Sequence, residues 1–380
     1  MPRHLTSLLA ILALIPLAHA QLSDNFDDNL PGPQWIRLTD APGSLDLTET
    51  NSRLEATSAP STNPTNDALY LSDFRLSTAS DFEIAIGYTF TAASPENITG
   101  SALTLVFGVG RDLDGTDSAA IGFGYLTREF FGNTISAAGT GGAHRTSDQQ
   151  TEVVLGFGPD TGTFVVTYNA ATDSLTLGDG TRSFSLDTKV RAAVASGGWN
   201  ASSLLVSFGI RGSGFTVNPG DATLDNFTVR SGHVLSTPYD FWAVESGLAH
   251  PLDDAPSADP DLDGLTNLDE FALGTNPLAP AAPNITTNLG TTFSVSIPHR
   301  SGLVPSGDAS STIALTGDGF SLALTSSNPL SAGSGVPRPL MITPSPSGLP
   351  DLPAGYTYTT LSLPDNTPTA FLSLSVSASP

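Results

Sequence analysis

The 380-residue chain contains no cysteine. Without a thiol there is no disulfide, no thiolate nucleophile, no Cys-type zinc site and no iron–sulfur cluster. Basic residues are scarce: 14 Lys and Arg stand against 37 Asp and Glu, a formal net charge of −23, and Lys189 is the lone lysine. A nucleic-acid partner needs a basic surface to displace phosphate counterions, so that class is excluded. Charged residues make up only 13 % of the chain, which contains 37 glycines and 29 prolines. That balance argues against long helices and for many short strands joined by turns.

Long apolar runs are missing too, except at the start. Leu5–Leu17 follows Arg3 and closes on Ala18-His19-Ala20. A basic start, an apolar stretch and a small-x-small end predict an export signal over 1–20, cleaved before Gln21. At roughly 13 residues the stretch falls short of the ~20 that span a membrane. The expectation is an exported protein with no membrane span, acting outside the cell or at its surface. Neither a Gly-x-Ser-x-Gly elbow nor a His-Glu-x-x-His pair occurs. His144, His233, His250 and His299 are scattered without ligand spacing and read as loop residues.

What is present is alternation. Phe82, Ile84, Ile86, Tyr88 and Phe90 would share one strand face. Leu103, Leu105, Phe107 and Val109 repeat the pattern, as do Phe164, Val166 and Tyr168, and Leu204, Val206, Phe208 and Ile210. A period of two marks strands buried on one side only, as in an antiparallel sandwich. Gly178-Asp179-Gly180 reads as a hairpin turn between Leu175/Leu177 and Phe184/Leu186. The reading for 21–232 is one jelly-roll sandwich.

Asp24-Asn25-Phe26-Asp27-Asp28 with Trp35, then Ser80-Asp81-Phe82-Glu83, and Ala222-Thr223-Leu224-Asp225-Asn226-Phe227-Thr228-Val229 bracket that stretch. These segments resemble concanavalin A-like (laminin G-like) lectin/glucanase domains of secreted bacterial proteins. The resemblance implies a saccharide-binding sandwich, and in some members a hydrolase. The Glu-x-Asp-x-x-Glu strand of the related glucanases is absent here. Asp81 and Glu83 share a strand face and are the alternative acid pair, although both can simply solvate that face. In a glycine turn, Trp199 of Gly197-Gly198-Trp199-Asn200 can either stack on a sugar ring or fold back onto the core.

The densest chemistry lies at 259–270: Asp259-Pro260-Asp261-Leu262-Asp263-Gly264-Leu265-Thr266-Asn267-Leu268-Asp269-Glu270. It fills the D-x-D-x-D-G-x-x-N-x-x-E template of a calcium loop. Asp259, Asp261 and Asp263 would supply carboxylate oxygens, Leu265 its carbonyl, Asn267 a direct or water-borne contact, and Glu270 two oxygens. Gly264 permits the turn that aims the first three inward. Magnesium demands a tight octahedron that so many protein oxygens do not suit. The predicted cofactor is therefore Ca2+. A second acidic loop, Asp112-Leu113-Asp114-Gly115-Thr116-Asp117, offers Asp112, Asp114 and Asp117 as a possible second metal site. It lacks a terminal bidentate carboxylate, and a polar hairpin tip explains it equally well.

Helical faces flank the loop. Leu265, Leu268, Phe271 and Ala272 would form one, stopped by Gly274 and Pro277. Phe241, Val244 and Leu248, beside Trp242, would form another. Thr266 stands where paired calcium loops carry a branched apolar residue, so the loop reads as single and structural. The segment resembles dockerin-like and thrombospondin type 3 calcium loops. With Phe241-Trp242 upstream and Phe271-Ala272-Leu273-Gly274 downstream, it also resembles a module of secreted Verrucomicrobia-type proteins. That resemblance implies a spacer or anchoring role.

The expected layout is a signal at 1–20, a sandwich at 21–232, a helix–calcium loop–helix module at 236–278, a Pro/Ala linker at 279–284 and a small β-domain at 285–380. Strands are expected at Phe293/Val295/Ile297, Ile313/Leu315, Phe320/Leu322/Leu324, Tyr356–Leu363 and Phe371–Val376, with a long loop over Ser334–Pro353. The function expected is that of a secreted, non-catalytic, calcium-binding modular protein whose sandwich takes a polysaccharide or a cell-surface or matrix partner. The alternatives are a glycan-degrading enzyme and a purely structural surface protein.

Overall fold

Strands with one apolar face must pair those faces, and the chain does so twice. The computed structural model describes residues 22–28, 32–39, 45–58, 66–91, 104–113, 120–129, 134–140, 150–157, 160–186, 203–212, 219–289, 292–307, 311–327, 339–363 and 371–378. The predicted export segment, Leu103, His144 and Trp199 lie outside them.

The N-terminal unit is a sandwich of two eight-stranded antiparallel sheets. One runs, in spatial order, Ser183–Leu186, Ser174–Gly178, Thr161–Asn169, Phe82–Phe90, Ala222–Ser231, Arg53–Ser58 and Leu45–Thr50, with Ser23–Asp24 also paired to Ala222–Ser231. The other runs Gln150–Phe157, Thr134–Thr140, Ala120–Glu129, Thr104–Leu113, Ser203–Gly212, Asn66–Ser77 and Val234–Leu235, with Trp35–Thr39 also on Asn66–Ser77. Sequence neighbours repeatedly fall in different sheets, the crossover pattern of a jelly roll. The alternating rows meet in between: Phe82, Ile84, Ile86, Leu105, Phe107, Val109, Phe164, Val166, Val206, Phe208 and Ile210 are buried together. The turn after Leu177 forms as expected. The carboxylate of Asp179 accepts the backbone N–H groups of Thr181 and Arg182 (3.0 and 2.7 Å).

The opening Asp24…Trp35 motif is structural. Asp24 Oδ2 accepts from Trp35 Nε1 and from Gln34 Nε2, both at 2.7 Å. The anchored indole packs edge-on against Phe208 and Phe227, with ring centroids 4.6 and 4.9 Å away. Hydrogen bonds to a charged group contribute about 1.5–3 kcal/mol. Trp35→Phe is therefore expected to cost the sandwich about 2–3 kcal/mol, read as a lower urea midpoint at unchanged slope.

The C-terminal unit joins two helices to two four-stranded antiparallel sheets. α1 is Pro238–Glu245 and α2 is Asn267–Leu273. One sheet is Thr286–Leu289, Phe293–Arg300, Tyr356–Leu363 and Met341–Thr343; the other is Val304–Ser306, Thr312–Gly317, Phe320–Ser327 and Phe371–Ala378. Tyr239, Ala243, Phe271, Leu273, Val295, Ile297, Ile313, Leu322 and Leu361 belong to one continuous core, distinct from that of the sandwich. No helix among the described residues is long and apolar enough to cross a membrane.

Three readings are corrected here. α1 buries Tyr239 and Ala243, with Leu248 following, and not Phe241 and Val244. The helix starts at Pro238, so Tyr239 and Ala243, one turn apart, meet the core, with Trp242 partly buried against it. Leu265 precedes α2, whose first residue is Asn267. The stretch Ser334–Pro353 is not all loop: Met341–Thr343 pairs with Tyr356–Leu363. As a short edge strand with Met341 and Ile342 exposed, it carries no alternation to read.

His299 is likewise no loop residue. It lies on Phe293–Arg300, only 3 % exposed. Its Nδ1 faces the Arg300 carbonyl (2.7 Å), which can only accept, and its Nε2 faces Thr359 Oγ1 (2.8 Å). The Arg300 carbonyl places a proton on Nδ1, and in the neutral ring Nε2 accepts from the Thr359 hydroxyl. Burial holds its pKa below the usual histidine value, against an opposing pull from the Arg300 carbonyl. A depressed folded-state pKa means that the unfolded chain binds the proton first. The stability this residue contributes is full above the unfolded value near 6.5 and is lost as pH falls below it. Between pH 7 and 5 the melting temperature of His299→Gln is expected to fall less steeply than that of the parent protein, measured by differential scanning calorimetry.

Candidate metal centre

The segment between α1 and α2 is built from side-chain-to-backbone hydrogen bonds that leave one set of oxygens over. Asp259 Oδ2 accepts the Gly264 N–H (3.0 Å). Asp261 Oδ1 accepts from Asp263 N–H (3.2 Å), and Asp263 Oδ1 from Leu265 N–H (2.8 Å). Gly264 holds φ +95°, a left-handed conformation that glycine adopts without steric cost. These bonds curl the chain so that Asp259, Asp261 and Asp263 each bring a carboxylate oxygen to within 4.8 Å of the others.

α2 then starts at once. Thr266 is its N-cap, with a reciprocal capping box: Thr266 Oγ1 accepts the Asp269 N–H, and Asp269 Oδ2 accepts the Thr266 N–H. The residue that departs from paired calcium loops thus has its own local task, and the T-x-x-D spacing signals it. Gly274, at φ +79°, closes the helix in the left-handed conformation and donates its N–H to the Glu270 carbonyl. A Cβ there would meet the Tyr356 ring at 2.9 Å.

Asn267 and Glu270 are both fully buried, at 0 % exposure. Asn267 donates both N–H groups of its amide, to the carbonyls of Asp253 (2.6 Å) and Ala255 (2.9 Å). Glu270 Oε1 accepts from Thr275 Oγ1 (3.1 Å). The remainder is chemically uniform: Asp259 Oδ1, Asp261 Oδ2, Asn267 Oδ1 and Glu270 Oε2 are buried acceptors without a hydrogen-bond partner. Acceptors cannot satisfy one another, and a buried unpaired oxygen is costly. Burial first, and then the charges of Asp261, Asp263 and Asp259, push the Glu270 carboxyl up to about 7. A group of carboxylates that strains its own ionisation fits a cation. Asp263 differs from the others, because its Oδ2 also accepts, from Ala281 N–H (3.0 Å). That bond ties the Pro/Ala stretch back onto the loop.

The other sequence candidates fare differently. Asp112 lies on Thr104–Leu113, its side chain outside the described residues, and Asp114 and Asp117 are outside them altogether, as is Trp199. Asp81 and Glu83 each have a local partner. Asp81 Oδ1 accepts from Ala170 N–H (2.7 Å), and Glu83 is ion-paired with Arg230 at 2.9 Å.

One convergence escaped the sequence. His233 and His250 stack face to face with ring centroids 3.7 Å apart, and His250 Nδ1 lies 2.7 Å from Asp254 Oδ2. The reading of these histidines as scattered is corrected here. The fold brings the end of the sandwich onto the turn before the acidic loop, a tertiary contact with no local spacing.

No protein-family model matches the chain, and no curated protein does. Among solved structures the chain is similar to an endo-1,3-beta-glucanase from Streptomyces sioyaensis (15 % identity, 57 % of this chain, 95 % of that chain, TM-score 0.41). It is also similar to the catalytic domain of a laminarinase from Thermotoga petrophila RKU-1 (14 %, 56 %, 96 %, 0.39) and to lectin II from Ulex europaeus (16 %, 55 %, 97 %, 0.33).

Proposed function

We propose that this is an exported calcium-binding modular protein whose sandwich presents a surface for carbohydrate or another surface molecule. The calcium reading rests on the four unpartnered acceptors of Asp259, Asp261, Asn267 and Glu270. Oxygen-only donors in this number suit a hard cation that takes six to eight ligands, with Asp263 and the Leu265 carbonyl completing the set. The ion would act structurally, because Asn267 and Glu270 stand on α2, which inserts Phe271 into the core. In a chain with no cysteine, such a site takes the place of a cross-link.

A non-catalytic sandwich is supported by the engagement of Asp81 with Ala170 and of Glu83 with Arg230. Hydroxyls of Thr163 and Thr167, on the outward side of the first sheet, offer hydrogen bonds to a polar ligand, beside Thr176 and Ser185, which bond each other at 3.0 Å. The test is a glycan array probed with residues 21–380, with calcium and with EGTA, scoring both retention and release of reducing ends. Retention without release supports the binding reading. Release overturns it in favour of a glycan-degrading enzyme, and neither result leaves a structural surface protein.

A further inference from the structure

We propose that His233, His250 and Asp254 form a second metal site, selective for a borderline transition-metal ion such as Zn2+. The three residues come from two separate places in the fold. His233 sits between the sandwich strands Ala222–Ser231 and Val234–Leu235, its carbonyl accepting from Ser77 N–H (2.9 Å). His250 and Asp254 lie on the turn after α1, whose backbone is closed by Asp253 N–H to Ala249 O (2.8 Å). The Asp254 carbonyl is held by the Tyr239 hydroxyl at 2.9 Å. One ligand atom from each side chain lies within 4.8 Å of the others. Asp254 Oδ2 is 2.7 Å from His250 Nδ1 and 3.7 Å from His233 Nε2.

The donor set decides the ion. Two imidazole nitrogens and one carboxylate oxygen suit zinc, nickel or copper, whereas calcium wants oxygen alone. The acidic loop offers only oxygens, so one chain would sort two ions by donor hardness. The side chains of His233, His250 and Asp254 are 11, 22 and 13 % exposed, sheltered but open to an ion. Near-parallel stacking, 13° between the rings, leaves both imidazoles facing the same carboxylate. A shared ion requires one ring to turn about its Cβ–Cγ bond, which separates the stack. The site would clamp the sandwich to the turn that leads into the acidic loop. Asn267 holds the Asp253 and Ala255 carbonyls on either side of Asp254, so the two metal sites are mechanically adjacent.

The experiment uses tag-free protein saturated with calcium, titrated with Zn2+ by calorimetry and with Co2+ by visible spectroscopy. One equivalent of zinc beyond the calcium is expected, with the d–d absorption of a tetrahedral cobalt site and a raised melting temperature. His250→Gln and Asp254→Asn should each weaken zinc at least tenfold while calcium stoichiometry stays unchanged. Asp261→Asn should weaken calcium and leave zinc unaltered. His233→Gln gives the same readout from the sandwich side if either of the first two variants fails to fold. No zinc uptake below millimolar concentration, parental zinc affinity in the variants, or one-for-one displacement of calcium by zinc would each overturn the proposal.

Discussion

Chelating calcium with EGTA is expected to lower the melting temperature of the C-terminal unit by roughly 5–20 °C and to leave the sandwich transition in place. An ion at a hundredfold excess over its Kd stabilises the state that binds it by about 2.7 kcal/mol. In a unit of this size each kcal/mol shifts the midpoint by roughly 2–8 °C. The effect should be confined to one transition because the loop feeds α2, and α2 belongs to the core that runs from Tyr239 through Leu363. The sandwich has its own core, from Phe26 to Val229. Asp261→Asn and Glu270→Gln should each weaken calcium roughly tenfold or more, by removing charge and a ligand from the set. In calorimetry, their melting curves with calcium should approach the EGTA curve of the parent. A C-terminal transition indifferent to both EGTA and these substitutions would remove the ion from the account of stability.

The legible and illegible parts divide along physical lines. Phe82–Phe90 and Ser203–Gly212 could be read because central strands must place every second side chain in the core. The convergence of Asp259, Asp261 and Asp263 could be read because side-chain spacing around a single turn is a local property. Thr286–Leu289, Val304–Ser306 and Met341–Thr343 carried no signal, since short edge strands obtain their order from a neighbour and not from burial. The apolar face of α1 was misread because counting Phe241 and Val244 ignores where the helix begins. Thr237 and Pro238 set that register: the Thr237 hydroxyl caps Asp240 N–H, and Pro238 opens the first turn. The meeting of His233 with His250 and Asp254 depends on how the sandwich ends, and no window of sequence contains it. The same holds for Arg300, whose guanidinium lies 4.5 Å from the Phe271 ring centre while its Nε donates to Asp318 (2.7 Å).

Phe271→Ala is expected to have the largest effect of any single change in the C-terminal unit. The ring is fully buried. Its centroid lies 5.5 Å from Tyr239, 5.4 Å from Trp242 and 5.5 Å from Phe320, so it touches α1 and one of the two sheets at once. Its carbonyl accepts the Tyr356 hydroxyl at 2.9 Å, which fastens the same residue to the second sheet. Truncating such a ring costs about 3–5 kcal/mol, more than the about 2.7 kcal/mol that a calcium ion would supply at a hundredfold excess. Saturating calcium should therefore fail to restore the parental melting temperature. Calcium affinity should fall with stability, because Asn267 and Glu270 share the helix that loses its anchor. Phe164→Ala is the matched control: it removes an equally buried ring, but from the sandwich core. That variant should lower only the sandwich transition and keep parental calcium binding. If Phe271→Ala instead retained parental calcium affinity while the C-terminal transition collapsed, the loop would hold its ion independently of the core, and calcium could not act as the cross-link of this unit.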